Sequence, residues 1–424
     1  MKTIKPIYRI FVLFIFASAV YLSFNMHSRN YGKAIEYDGM GYYTYLPHIF
    51  IYHSFDIQPD EKYWSFQAKQ GAHKVFDKYN YGVSLLILPF FLISHGIAYI
   101  IHSPQNGYSE IYDFGVMLAA VFYFTFGIFF LIKTLSKMYS PLIVIISIIA
   151  IYAGTNLYYY TIGEPSYSHI YSFSLFCFFL YLVAGFIKNP SWRKTIFISI
   201  VYGLIFLLRP TNAIIILYLL LYDIYDKKDL SARYGWVCGN LSKLSLLPFA
   251  CIVFYIPQML YWHSIAGKWI FNAYTGESFI YWKSPMIYPV LFGLRNGMII
   301  YAPIMIFSFA GLIIALFRKK ISAFAILMIM LTSTYIIAGW WCYWFGLTFG
   351  HRAYVEYFAF MVIPTAYIIS IILNQRFWLK STGLILFALC IVYTMKLTYA
   401  YEPWAWDKTN WTWYLLMKVI FKIH

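Results

Sequence analysis

The sequence predicts an all-α polytopic membrane protein, and three observations carry that reading. Hydrophobic residues make up 62% of the 424 and charged residues only 11%, with a mean hydropathy of +0.65; an ordinary soluble domain carries about 25% charged residues. Runs such as "IYRIFVLFIFASAVYLSFN" (7–25), "PLIVIISIIAIYAGTNLYYY" (141–160) and "ISAFAILMIMLTSTYIIAG" (321–339) reach the ~20 residues that a helix needs to cross the hydrocarbon core. These runs recur to the end of the chain, so residues 1–424 read as one integral membrane domain.

The basic loops order the elements. Lys/Arg-bearing connections at 2–9, 133–137, 188–194, 226–243, 318–320 and 376–380 belong on the cytoplasmic side by the positive-inside bias. Threading the chain under that constraint places spans near 7–25, 111–132, 141–160, 168–187, 195–208, 211–222, 244–262, 298–317, 321–339, 357–373 and 380–398, about eleven crossings of the inner (plasma) membrane. "MKTIKPIYR" followed by Ala17-Ser18-Ala19 imitates a secretory signal, but the apolar run continues to Phe24 and favours an uncleaved first span.

Between the first two spans lies an extracytoplasmic loop, 26–110. Within it, "YGVSLLILPFFLISHGIAYII" (81–101) contains Pro89, His95 and Gly96. If it crossed, every later basic loop would change sides, so it is expected to form a re-entrant or interfacial hairpin. The stretch around Arg209-Pro210-Thr211 is expected to separate two short spans, although a single tilted helix over 195–222 would also fit. Residues 399–424 form a short extracytoplasmic tail containing "YEPWAWDKTNWTWY". With no large soluble region after the last span, acceptor selection by an added domain is not expected.

The charge distribution excludes one class of partner. A net charge of +16 fits a nucleic-acid binder only if it is concentrated on one surface; here it is spread through the short loops, and no nucleic acid is expected. The five cysteines form no CxxC or other ligand spacing and read as small core residues.

With Lys and Arg placed inside, nearly every unusual polar residue falls on the outer face: Glu36 and Asp38 in "EYDGMGYYTYLP", Glu164 and His169 in "GEPSYSH", Arg209, Lys268, Arg295, and His351 and Arg352 beside the tryptophans Trp340, Trp341 and Trp344. Acids and bases gathered there with aromatic rings suit a sugar carried on an anionic lipid. A carboxylate takes the proton of an attacking hydroxyl, Arg or Lys holds the departing phosphate, and tryptophans stack on the sugar or shelter the lipid chain. Gly39 and Gly41 let the backbone around Asp38 approach a ligand closely. Arg209 in an apolar stretch must be paired or wet. Taken singly, Glu277 and Glu356 read as solvated loop acids. If Glu36, Asp38 and Glu164 converge, they offer oxygens to a divalent cation, Mg or Mn; spacing alone leaves the metal, like any other cofactor, undecided.

At these residues the chain resembles the GT-C superfamily of membrane glycosyltransferases, the class of protein O-mannosyltransferases and lipid A aminoarabinose transferases. "EYDGMGYYTYLP" and "EPSYSH" are similar to the acidic motifs of the first and second outer loops, "LLRPTN" to an inner-bundle motif, and "LFGLRNGMIIYAPI" and "FGHRAYVEYF" to the C-terminal ones. The resemblance covers nearly the whole chain. It implies a GT-C-like bundle with interfacial helices, a polyprenyl-phosphate-linked sugar donor, an acceptor of unspecified kind (protein, lipid or polysaccharide), and transfer with inversion. By the same resemblance Asp38 is the general base, Glu164 a second acid that positions the acceptor or a cation, and Arg295, His351 and Arg352 hold the lipid phosphate. The family motif often has adjacent acids, whereas here Glu36 precedes Asp38 by two, so the base is one or the other. A transporter or flippase of lipid-linked sugars would be expected to show repeated halves and midplane polar sites, and neither is apparent. A ligase or polymerase of the O-antigen kind is chemically close but uses a diphosphate-linked donor.

Overall fold

Six helices among the described residues are long and apolar enough to cross a membrane. The computed structural model describes residues 5–29, 33–55, 67–70, 74–274, 276–346, 349–401 and 412–421; most of "YEPWAWDKTNWTWY" lies outside them. The elements are α1 (Pro6–Arg29), α2 (Tyr37–Tyr43), a hairpin of β1 (Gln67–Gln70) and β2 (Lys74–Asp77), then α3 (Gly82–Ile100), α4 (Glu110–Leu135), α5 (Pro141–Ala153), α6 (Leu157–Ile162), α7 (Ser168–Lys188) and α8 (Trp192–Leu208). They continue with α9 (Leu246–Ala266), α10 (Ile304–Phe317), α11 (Ala323–Gly339), α12 (Phe358–Leu373) and α13 (Phe377–Tyr399), with shorter helical turns between. The chain is an all-α polytopic membrane protein, with one antiparallel hairpin among the described residues.

Ten of the eleven expected spans overlap these helices, with breaks where backbone chemistry requires them, whereas 211–222 is a 3-10 turn followed by only five helical residues, Ile216–Leu220. The 141–160 run divides at Gly154 into α5 and α6. The 298–317 run breaks at Ala302, which leaves the helical region (φ −137°, ψ 67°) ahead of Pro303. Arg209 is extended (φ −152°, ψ 111°) and ends α8, after which Pro210–Ile215 forms a 3-10 turn. A residue before proline is pushed out of the helical region, so 195–222 is two elements rather than one tilted helix.

The segment 81–101 differs from expectation: it is one unbroken helix, α3, not a hairpin. Pro89 removes a single backbone donor, and packing on α4 offsets that loss. The Tyr123 hydroxyl donates to Leu86 O, and His95, which argued against a span, bonds the Tyr112 hydroxyl through Nδ1 at 2.6 Å. Both ends of α3 nonetheless stay at the α2 end of the bundle. Ser84 Oγ donates to Tyr42 O, and the Tyr43 hydroxyl donates to Gly107 O just beyond the far end.

The bundle core is built on α4 against α7, α9 against α8, and α10 against α12. Close approach rests on small residues: a Cβ on Gly127 would lie 3.1 Å from Ser174 Cα, and one on Gly311 only 2.3 Å from Pro364 O. Helix α4, 26 residues and so about 39 Å long, links the two poles. At its start Asp113 Oδ1 accepts from Ile35 N; at its end Lys133 and the following Lys137 sit over the Tyr181 ring. The first loop is tied to α9, where Gln258 accepts from Tyr81 N and donates to the Tyr45 hydroxyl.

Candidate active site

At the pole opposite those lysines, α2 meets the turn between α6 and α7, the break after α8 and the loop before α12. Glycine at position 39 allows the closest of these approaches. A Cβ there would lie 1.8 Å from Ser166 Oγ and 2.6 Å from Ser166 Cβ, and Ser166 Oγ in turn donates to Ala34 O at 2.7 Å. The acid-bearing first turn of α2 is thereby laid against "GEPSY".

Asp38 Oδ2 lies 2.7 Å from Arg352 Nη1, both side chains partly buried. Glu36 is the extended residue that flanks α2 on its N-terminal side (φ −138°, ψ 166°), outside the helix. Its Oε1 accepts from Lys33 N at 3.1 Å. Of the two acids left open by the sequence, Asp38 is the one paired with Arg352.

Arg352 Cζ lies 5.4 Å from the Tyr167 ring centre and 5.8 Å from that of Phe345. Arg209 Cζ is 6.0 Å from the same Phe345 ring, which joins the two guanidinium groups in one site. Phe345 holds a left-handed backbone (φ 56°) immediately before Gly346 (φ 76°). Such a conformation costs about 1–3 kcal/mol in a non-glycine residue and is found where function fixes it.

Behind Arg209 is a buried polar knot. Arg209 Nη1 donates to Glu356 Oε1 at 2.9 Å, and His169 Nδ1 lies 2.9 Å from Glu356 Oε2 and 3.0 Å from Arg209 Nη1. Glu356, read from sequence as a solvated acid, is fully buried. Burial opposes its charge, and Arg209 and His169 more than offset that, holding its pKa below the ordinary glutamate value. The signal that would have found it is its pairing with Arg209, invisible along the chain.

Glu164 lies in the turn before α7, where the Tyr159 hydroxyl donates to Oε1 at 3.0 Å. Burial pushes its pKa up to about 8, with Asp38 and Glu36 adding and Tyr159 and Arg352 opposing. It is therefore largely protonated at neutral pH. His351 is held neutral by burial, its pKa lowered to about 3; with Nε2 protonated, its ring donates to Tyr343 O at 2.8 Å and braces the loop. The cation of the His351-Arg352 pair is thus Arg352.

Arg295 Cζ stacks 4.4 Å from the Trp344 ring, next to Phe345 in sequence. Trp341 is exposed at the rim, and Lys268 lies on the exposed turn after α9. The described contacts draw neither into the Asp38–Arg352–Arg209 group. Lys78 Nζ, paired with Glu277 at 2.7 Å, sits over Tyr79 and Tyr274. Tyr42, Tyr79 and Tyr274 follow one another with ring centres 4.4 and 6.2 Å apart, forming an apolar wall beside the charges.

The acids do not fit a Mg or Mn site. Asp38 is paired with the Arg352 guanidinium, burial keeps Glu164 largely protonated, and Glu36 accepts from Lys33 N. Among the described residues, no three His, Cys, Asp or Glu side chains gather at metal-binding range.

The architecture shares its fold with solved archaeal oligosaccharyltransferases. Among solved structures, the chain is similar to the archaeal oligosaccharyltransferase AglB of Archaeoglobus fulgidus, determined with an inhibitory peptide and a dolichol-phosphate: TM-score 0.52, 13% identity, over 93% of this chain and 56% of that one. It is similar also to the apo form of that organism's oligosaccharyltransferase and to a form tethered to an acceptor peptide. Both give a TM-score of 0.50 and 14% identity, over 91% and 92% of this chain and 55% of theirs. At this identity the likeness is one of fold, and the chain spans about half the length of these enzymes. No family model and no curated protein sequence matches it.

Proposed function

We propose that the protein is a glycosyltransferase that moves a sugar, hexose or pentose, from a polyprenyl-phosphate-linked donor to an acceptor hydroxyl, with inversion. The reaction is placed at the extracytoplasmic face of the plasma membrane. The observation that carries this reading is the pair of guanidinium groups flanking Phe345, one of them bonded to Asp38. A carboxylate beside two fixed cations at a membrane pole matches the charges of an attacking hydroxyl and a departing phosphate.

In this reading Arg352 and Arg209, with Arg295 on Trp344 nearby, bind the donor phosphate, and the Tyr42–Tyr79–Tyr274 wall shelters the sugar or lipid. The acceptor oxygen bonds to the anomeric carbon from the side opposite the phosphate. The carbon–oxygen bond to the phosphate breaks, the hydroxyl proton passes to Asp38, and polyprenyl phosphate leaves. Phosphate is a good leaving group, so the barrier falls by positioning, base assistance and neutralisation of phosphate charge. Protonated Glu164 donates to the acceptor and adds no negative charge beside the donor. No step needs a metal ion.

The test is the lipid that builds up in cells when Asp38→Asn replaces the wild type. A polyprenyl-monophosphate sugar accumulating on the outer leaflet is expected. A diphosphate-linked oligosaccharide would point to a ligase or polymerase, and accumulation on the inner leaflet to a flippase; either would contradict the proposal.

A further inference from the structure

The geometry points to Glu356 as the positioning residue that aims Arg209 at the donor phosphate. This rests on the transferase reading above and adds to it a residue that touches neither substrate.

The side chains are arranged in depth. Glu356 is fully buried, while Arg209 keeps 19% of its side chain exposed toward the cleft. Glu356 engages Nη1, which also lies 3.0 Å from His169 Nδ1, of a guanidinium that carries five donor hydrogens, so the pairing anchors Arg209 at one nitrogen without consuming its capacity for an anion. The carboxylate is itself held from three sides. Oε2 faces His169 Nδ1, Oε1 also lies 3.4 Å from Asn212 Nδ2, and Asn212 is oriented by the Tyr357 hydroxyl at 3.1 Å.

The need for such a brace follows from the chain around Arg209. The residue sits between α8 and the 3-10 turn that starts at Pro210, with extended backbone, so no helix fixes its side chain. A long arginine side chain left unheld loses up to about 2 kcal/mol of rotamer freedom when it binds a ligand. Held by Glu356 and set against Phe345, it meets the phosphate with that freedom already spent. Glu356 also belongs to the same short loop as Arg352, "HRAYVE", so one loop sets both guanidiniums.

The experiment measures binding of a long-chain polyprenyl phosphate to the full-length protein in detergent micelles, with the uncharged polyprenol as control. Four variants are compared with wild type: Glu356→Asp, which keeps the charge but draws the carboxylate back, Glu356→Gln, Arg209→Lys, and Glu356→Asp with Arg209→Lys. Glu356→Asp is expected to weaken phosphate binding about tenfold and to leave polyprenol binding unchanged. Arg209→Lys is expected to do the same, and the double variant to be no weaker than Arg209→Lys alone, because residues acting through one another are not additive. Glu356→Gln keeps an oxygen for Arg209, with a His169 tautomer shift accommodating its amide, and is expected to lose about threefold. Elution profile and melting temperature check that each variant folds, and Glu356→Ala supplies the same cycle if the aspartate variant does not.

Wild-type binding by Glu356→Asp, or losses that multiply in the double variant, would overturn the positioning role. So would a glutamine variant as weak as the aspartate one. If the wild type fails to prefer polyprenyl phosphate over polyprenol, the transferase reading fails instead.

Discussion

Replacing Gly39 by alanine is expected to lower transfer about a hundredfold while leaving the bundle folded. The new Cβ would meet Ser166 Oγ at 1.8 Å and Ser166 Cβ at 2.6 Å. The hydroxyl can swing away, but the Cβ cannot move without its backbone. Ordinary contact begins near 3.4 Å, so the turn that carries Glu164 and Tyr167 must retreat from α2 by about 1 Å. A displacement of that size in a catalytic constellation costs about 10² in rate, or about 2.7 kcal/mol. The assay is kcat/KM for release of polyprenyl phosphate from a panel of polyprenyl-phosphate sugars. Adding Ser166→Gly removes both offending atoms and leaves the backbone carbonyl carbon at 3.3 Å, so the double variant is expected to recover most of the activity. The lost Ser166–Ala34 hydrogen bond costs it about 1 kcal/mol of stability. Activity of Gly39→Ala within threefold of wild type, or a double variant no better than the single, would refute the reasoning.

Asp38→Asn is expected to reduce transfer by at least about 10³ with an unchanged elution profile, and Glu36→Gln by less than about threefold; the reverse ranking would move the base to Glu36. Glu164 has a raised pKa, about 8, so it is neutral below that pH and ionises above it, placing a second negative charge beside Asp38. The kcat/KM profile should fall as pH rises through 8, and Glu164→Gln should abolish that alkaline limb; a limb that survives excludes Glu164 as its source. Single cysteines at Ser284 and Lys228, in a background lacking the five native ones, should label from opposite sides of the membrane, with 284 extracytoplasmic. Labelling from the same side would overturn the topology.

The spans were legible because length and apolarity suffice to define them, and the pole that holds the site followed from the placement of Lys and Arg. The helix break at Arg209 was readable from Pro210, whereas the one at Ala302 falls inside the span expected over 298–317. What the sequence hid was long-range pairing. His95 in α3 looks too polar for a continuous helix until Tyr112 is brought to its Nδ1. Glu356 looks like any loop acid until Arg209 and His169, 147 and 187 residues away, close on it. Glu36 and Asp38, two residues apart, look alike along the chain until Arg352, 314 residues beyond Asp38, pairs with the second of them.

The most direct test of the central claim is turnover of defined donors by the purified protein. A polyprenyl-monophosphate sugar, with membrane extract as the acceptor source, should be consumed with stoichiometric release of polyprenyl phosphate, and the Asp38→Asn variant should show none. Consumption of the diphosphate-linked analogue instead, or movement of the intact lipid across a vesicle membrane without release of the sugar, would contradict it.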